Sequence, residues 1–196
     1  MSETKPMTAA GHRILDAAGD LFYGRGITAV GVDLIAEHSG VTKRTLYNQF
    51  GSKDQLVVAY LEEREQRWQL LVRETIAAAA SPIDAVLAPL EAQRTWNQNN
   101  PRGCAFINAL AELPDPTHPA HVVATQEKQW LIDLFRELAA AAGCSAPDTL
   151  ATQLLVLHEG TLVTQQLSLD TLSASIELAR ELVRAATSTE AQKASA

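Results

Sequence analysis

The sequence predicts an all-α protein, and three observations carry that expectation. Ala and Leu dominate, while β-branched runs with strict alternation and hairpin signals are scarce. Apolar residues recur three and four apart, as in Ile14, Ala18, Leu21 and Phe22, and again in Leu131, Leu134, Phe135 and Leu138. Gly and Pro punctuate the chain at intervals that suit about nine helices.

Each helix has its own boundary signals. The first runs from Ala9 to Gly24, where Gly26 can take a left-handed C-terminal position. A short second helix covers Val32 to Ser39, and a third runs from Thr42 to Phe50 and stops at Gly51. Ser52 can cap the fourth, with Asp54 and Gln55 in its first turn. No Gly or Pro follows until Pro82, so this helix could reach roughly 40 Å and join two halves of the chain. Ser81-Pro82 opens a fifth helix, which lasts to Gln98 and ends in "NQNNPRG". The sixth covers Cys104 to Leu113 and stops at Pro114, Pro116 and Pro119. The seventh runs from Pro119 to Ala142, the eighth from Pro147 to Leu167 and the ninth from Thr171 to Ala186. The polar tail from residue 188 to 196 reads as disordered.

Composition narrows the class further. The chain is 46% hydrophobic and 20% charged, ordinary values for a soluble domain with a sizeable core. It has no apolar run long enough for a membrane span and no signal-peptide block. Cys104 and Cys144 make neither a disulfide framework nor a metal motif, so a reduced, cytoplasmic protein is expected. His118 and His121 are too few ligands for a metal site, and no cofactor is expected.

The net charge of −7 is unevenly spread. Residues 1–60 balance six Lys/Arg against six Asp/Glu, so all the excess acid lies further on. From His38 to Lys53 there are three bases and no acid. Two halves facing different partners would produce such asymmetry.

That basic segment lies within residues 31–50, "GVDLIAEHSGVTKRTLYNQF", which have a helix-turn-helix pattern. Ala36 is small where two helices approach, Gly40 can supply a positive φ, and Thr42 can cap the next helix. At about 100° per residue, Phe50 lies about 40° from Leu46, while Arg44 and Asn48 lie about 160° and 200° away. Arg44, Asn48, Thr45 and Tyr47 therefore face away from the core, with Lys43 in the first turn. Cations, hydrogen-bonding side chains and free N–H groups together suit phosphates and base edges.

From "RILDAAGDLFYGRGI" through "VDLIAEHSGVTKRTLYNQFGSKDQLVVAYL", residues 8–61 resemble the N-terminal domain of the TetR family of transcriptional regulators. The segments "LFYGRG", "IAEHSGV", "TLYNQF" and "GSKDQL" match in register. The resemblance implies a three-helix DNA-binding head followed by a larger helical domain, residues 62–187, that dimerises and binds a small effector. It implies that Thr42, Lys43, Arg44, Thr45, Tyr47 and Asn48 face DNA and that Lys53 contacts a phosphate. Where the family commonly has Ser or Thr opening the second helix, this chain has Val30 and Gly31, and Thr28 is the candidate substitute for the missing hydroxyl.

In the second domain, Trp96, Phe106, Asn108, Trp130 and His158 are either ordinary bundle core or the lining of a cavity. Asn108 and His158, each in an apolar helical context, would supply orienting hydrogen bonds. The last two helices carry wide apolar stripes: Leu150, Leu154, Leu157 and Leu162, then Leu172, Ile176, Leu178, Leu182 and Val183. These serve intrachain packing or a four-helix bundle with a second copy; the resemblance favours the homodimer.

The expected function is a dimeric repressor that binds a near-palindromic double-stranded operator and is released by a small-molecule effector. An adaptor with weakened DNA binding is the alternative, favoured slightly by Gly31. An all-α enzyme using His158, Cys104 or Glu159 is disfavoured, because no nucleophile–base pair can be assembled.

Overall fold

The computed structural model describes residues 7–193, with side chains to residue 187. Among the described residues the regular structure is α1 (Ala9–Arg25), α2 (Val32–Ser39), α3 (Lys43–Phe50), α4 (Lys53–Ala77), α5 (Pro82–Asn99), α6 (Ala105–Glu112), α7 (Ala120–Ala141), α8 (Pro147–Gln165) and α9 (Leu172–Lys193). The all-α expectation holds. The clearest boundary correction is at the C-terminus, where α9 continues through most of the segment expected to be a disordered tail. Residues 194–196 lie outside the described residues.

Helix ends follow local chemistry. Thr8 accepts the Gly11 N–H at the start of α1, and Thr42 accepts the Thr45 N–H at the start of α3. Ser52 does the same for Gln55 in α4, and Ser81 for Asp84 in α5. Gly40 ends α2 at φ 65° and ψ 34°, a left-handed conformation open to glycine at little cost. Its N–H donates to Ala36 and Glu37, and the Val41 N–H returns to Ala36 at 3.0 Å.

The chain divides into two compact units. Of the described residues, 7–64 and 105–125 form one, and 65–104 and 126–193 form the other. In the first unit α1, α2 and α3 pack on one another. Ile14, Ala18, Ile35 and Leu46 are fully buried there, and Phe22 meets Tyr60 edge-on at 5.8 Å. At roughly 25 cal/mol per Å2 of apolar surface, each such large side chain contributes about 1.5–3 kcal/mol.

In the second unit α9 packs on α5 and α8. Its main core gathers Leu87, Leu90, Leu131, Phe135, Leu154 and Val183. A smaller cluster centres on Trp68 and Val72, with Trp96, Trp130 and Leu134 against it. A buried polar bridge joins α5 to α8: the Gln93 side-chain N–H donates to the His158 carbonyl at 3.1 Å, and the Thr161 hydroxyl donates to the Gln93 side-chain oxygen at 2.6 Å. None of the described helices is long and apolar enough to cross a membrane.

Candidate nucleic-acid interface

Helix α3 has one inward anchor and a broad outward face. Leu46 is fully buried and Phe50 half-buried. Arg44, Asn48 and Tyr47 are exposed, Tyr47 at 45% relative accessibility, so its ring is not core. Thr45 is half-buried, and its N–H and hydroxyl both meet the Thr42 hydroxyl, at 3.1 and 2.9 Å. The cap at Thr42 thus holds the first turn of α3 in place. No acidic side chain belongs to that turn, so its N–H groups carry the positive end of the helix dipole.

The two lysines behave differently. Lys43 is exposed and forms an ion pair with Asp33 of α2, an acid that the sequence pattern did not connect to it. Lys53 is half-buried, and its ammonium donates to the Ile27 carbonyl at 2.7 Å. Its expected role as a phosphate contact is therefore joined by a structural one, holding the loop between α1 and α2.

Thr28 is not placed as expected. Its backbone N–H and its hydroxyl both donate to Glu112 Oε2, at 2.8 and 3.0 Å. A hydroxyl committed to a carboxylate does not replace the phosphate contact missing at Gly31, and a phosphate brought there would meet that anion. Gly31 caps α2 without any side-chain hydrogen bond.

The five candidate cavity residues fall in both units. Phe106 and Asn108 lie on α6 in the first unit, Phe106 buried and Asn108 half-buried. Trp96, Trp130 and His158 belong to the second unit: Trp68 meets Trp96 edge-on at 5.4 Å and lies 5.5 Å from the His158 ring, and Trp130 packs against the cluster that Trp68 forms with Val72 and Ala92. Trp68 carries no sequence signal that sets it apart from other core aromatics.

His158 is 2% exposed, with its Nε2 buried and lacking a hydrogen-bond partner. Its Nδ1 lies 3.1 Å from Glu159 Oε1, which also receives the Lys128 ammonium at 2.8 Å. Burial pushes the Glu159 carboxyl up, but the His158 hydrogen bond and the Lys128 charge outweigh it and hold the pKa down at about 2. Glu159 is thus a carboxylate that can only accept, so the proton of that pair sits on His158 Nδ1. Burial alone would lower Lys128, yet Cys104, Glu127 and Glu159 raise it above the ordinary lysine value.

Relatives agree with this architecture. Residues 14–60 match the family of bacterial regulatory proteins of the tetR type. The chain is 30% identical to SCO4454, a TetR-family transcriptional regulator from Streptomyces coelicolor, covering 91% of this chain and 96% of that one at a TM-score of 0.85. It is 29% identical over 155 residues to the HTH-type transcriptional regulator YjdC of Escherichia coli, covering 76% of this chain and 79% of that protein. At 22% identity and a TM-score of 0.75, over 92% of this chain and 98% of the other, it shares its fold with the TetR-family regulator CifR, solved with a 26-base-pair operator DNA. With the α2–α3 geometry in place and a full-length relative at this identity, the chain belongs to the TetR family of transcriptional regulators.

Proposed function

We propose that the protein is a homodimeric repressor that reads a near-palindromic operator with α3 and releases it when a small effector binds. The observation that carries this reading is the outward face of α3, where Arg44, Tyr47 and Asn48 stand exposed opposite the buried Leu46. Arg44 and Asn48 are the base readers, since their side chains match guanine and adenine edges in the major groove. Thr42, Lys43, Thr45 and Tyr47 hold the backbone beside them. Lys53 adds a phosphate contact with the N–H groups left free by Ile27. Thr28 is omitted from the interface. The fold relative solved on operator DNA supports the same use of this fold.

Dimerisation is assigned to α8 and α9, of whose expected stripes Leu178 alone is exposed. Leu150, Leu154, Leu162, Ile176 and Val183 are buried within their own chain. Exposed apolar positions include Val156 and Val163, with exposed Gly160 on the same stripe of α8, Leu167 in the turn that follows, and Leu178 on α9. A second copy would cover this surface, and Gly160 permits close approach of two helices. Two heads on one dimer would meet half-sites about one helical turn apart or a little more.

The effector reading rests on the Trp68, Trp96, Trp130 and His158 cluster, whose buried Nε2 lacks a partner. An effector shifts the protein off DNA only by binding the released state more tightly. Selection of a random double-stranded library on the full chain tests the proposal. Enrichment of one inverted repeat is expected. A library that stays unenriched would contradict it and favour an adaptor role.

A further inference from the structure

A cavity of about 390 Å3 lies within the second unit, between the last turns of α5 and α8 and the connection to α9. That volume is in the range of small-molecule sites. None of the five residues proposed from sequence lines it, and its chemistry is one-sided. Asn97 Oδ1 and Gln165 Oε1 both belong to lining residues, and both atoms are buried without a hydrogen-bond partner. The Gln165 orientation is set by its amide N–H groups, directed at the Asn97 and Asn100 carbonyls at 3.3 and 3.4 Å, which leaves Oε1 as the unused acceptor. Asp170, exposed and without a partner among the described residues, adds a carboxylate to the lining. Leu169 and Leu172 supply apolar surface.

The single cation in the lining is Arg94, and it is engaged already. Its Nε donates to Glu91 at 2.8 Å and its Nη1 to Ser173 at 3.3 Å. Glu91 balances its charge, which leaves Asp170 uncompensated. Two orphaned acceptors cost free energy until a donor meets them. An anionic ligand could use Arg94 but would face Asp170 and two amide oxygens. An ammonium has three N–H donors and no acceptor.

We propose that this cavity binds a primary ammonium carried on a short apolar chain. The nitrogen donates to Asn97 Oδ1 and Gln165 Oε1, its charge is balanced by Asp170, and the chain lies on Leu169 and Leu172. The proposal goes beyond DNA recognition and does not depend on it.

The test titrates the full-length protein with n-butylammonium, butyltrimethylammonium, 1-butanol and butyrate. Calorimetry gives affinity, and amide chemical shifts of residues 161–172 give location. n-Butylammonium is expected to bind roughly tenfold more tightly than each of the others, the ratio for hydrogen bonds to a charged group. Asp170→Asn and Asn97→Leu, checked for unchanged circular dichroism, should each weaken it about tenfold. Binding by butyltrimethylammonium at equal affinity, tighter binding of butyrate, shifts confined to other residues, or no binding of n-butylammonium would each overturn the assignment.

Discussion

Glu112 closes the loop after α1 by accepting both the backbone N–H and the hydroxyl of Thr28 on one carboxylate oxygen. The two residues are 84 positions apart, so α6 is fastened to the head by a contact far away in sequence. These bonds are exposed, which limits their worth. Glu112→Ala should lower the stability of the chain by about 1 kcal/mol in urea titration. Glu112→Gln, which retains an acceptor, should lose less. Equal loss in both variants would show that the carboxylate charge, not acceptance, is what matters.

Leu46 is the inward anchor of α3 and is fully buried. Leu46→Ala should cost about 2–5 kcal/mol through lost burial and the cavity left behind. Phe50→Ala, at a half-buried position, should cost less. Thermal unfolding with matched DNA-binding assays checks both. Full stability in Leu46→Ala would mean that α3 is not seated as described.

Lys43 and Lys53 should separate in two assays. Lys43→Met should flatten the dependence of log affinity on log salt by about 1, as expected for one lost phosphate contact. Lys53→Met removes a donor to the Ile27 carbonyl and should lower stability by about 1 kcal/mol. Its salt slope should change less than that of Lys43→Met. The opposite ranking would return Lys53 to a purely DNA-facing role.

Glu159 predicts an acid limb in the stability profile. Its folded pKa of about 2 lies below its ordinary value of 4.5. A carboxylate depressed on folding stabilises the protein fully above its unfolded value, and that contribution fades as pH falls from about 4.5 toward 2. Glu159→Gln should remove this part of the acid loss, so its stability should fall less steeply over that window. A parallel fall in both proteins would place the acid sensitivity elsewhere.

The helices were legible because their punctuation is local. Gly26, Gly40, Gly51 and Ser81-Pro82 each act within a few residues, and the observed ends fall there. The outward face of α3 was legible for the same reason: one rotation angle separates Leu46 from Arg44 and Asn48. What escaped depends on distant pairing. The bond from Lys53 to Ile27, the hold of Glu112 on Thr28, and Lys128 on Glu159 join residues whose neighbourhood only the fold creates. The stripes of α8 and α9 were visible, but which of their positions the core shared with α5 and α7 would take in was not. Leu154 is therefore buried while Val156 remains exposed.

The most direct test of the central claim is Arg44→Ala, titrated against the selected operator and against random duplex at fixed salt. If α3 reads bases, affinity for the operator should fall by about 1–3 kcal/mol per half-site while random duplex is held almost as well. Equal loss on both DNAs would contradict the account, since Arg44 would then be one more contact to the phosphate backbone.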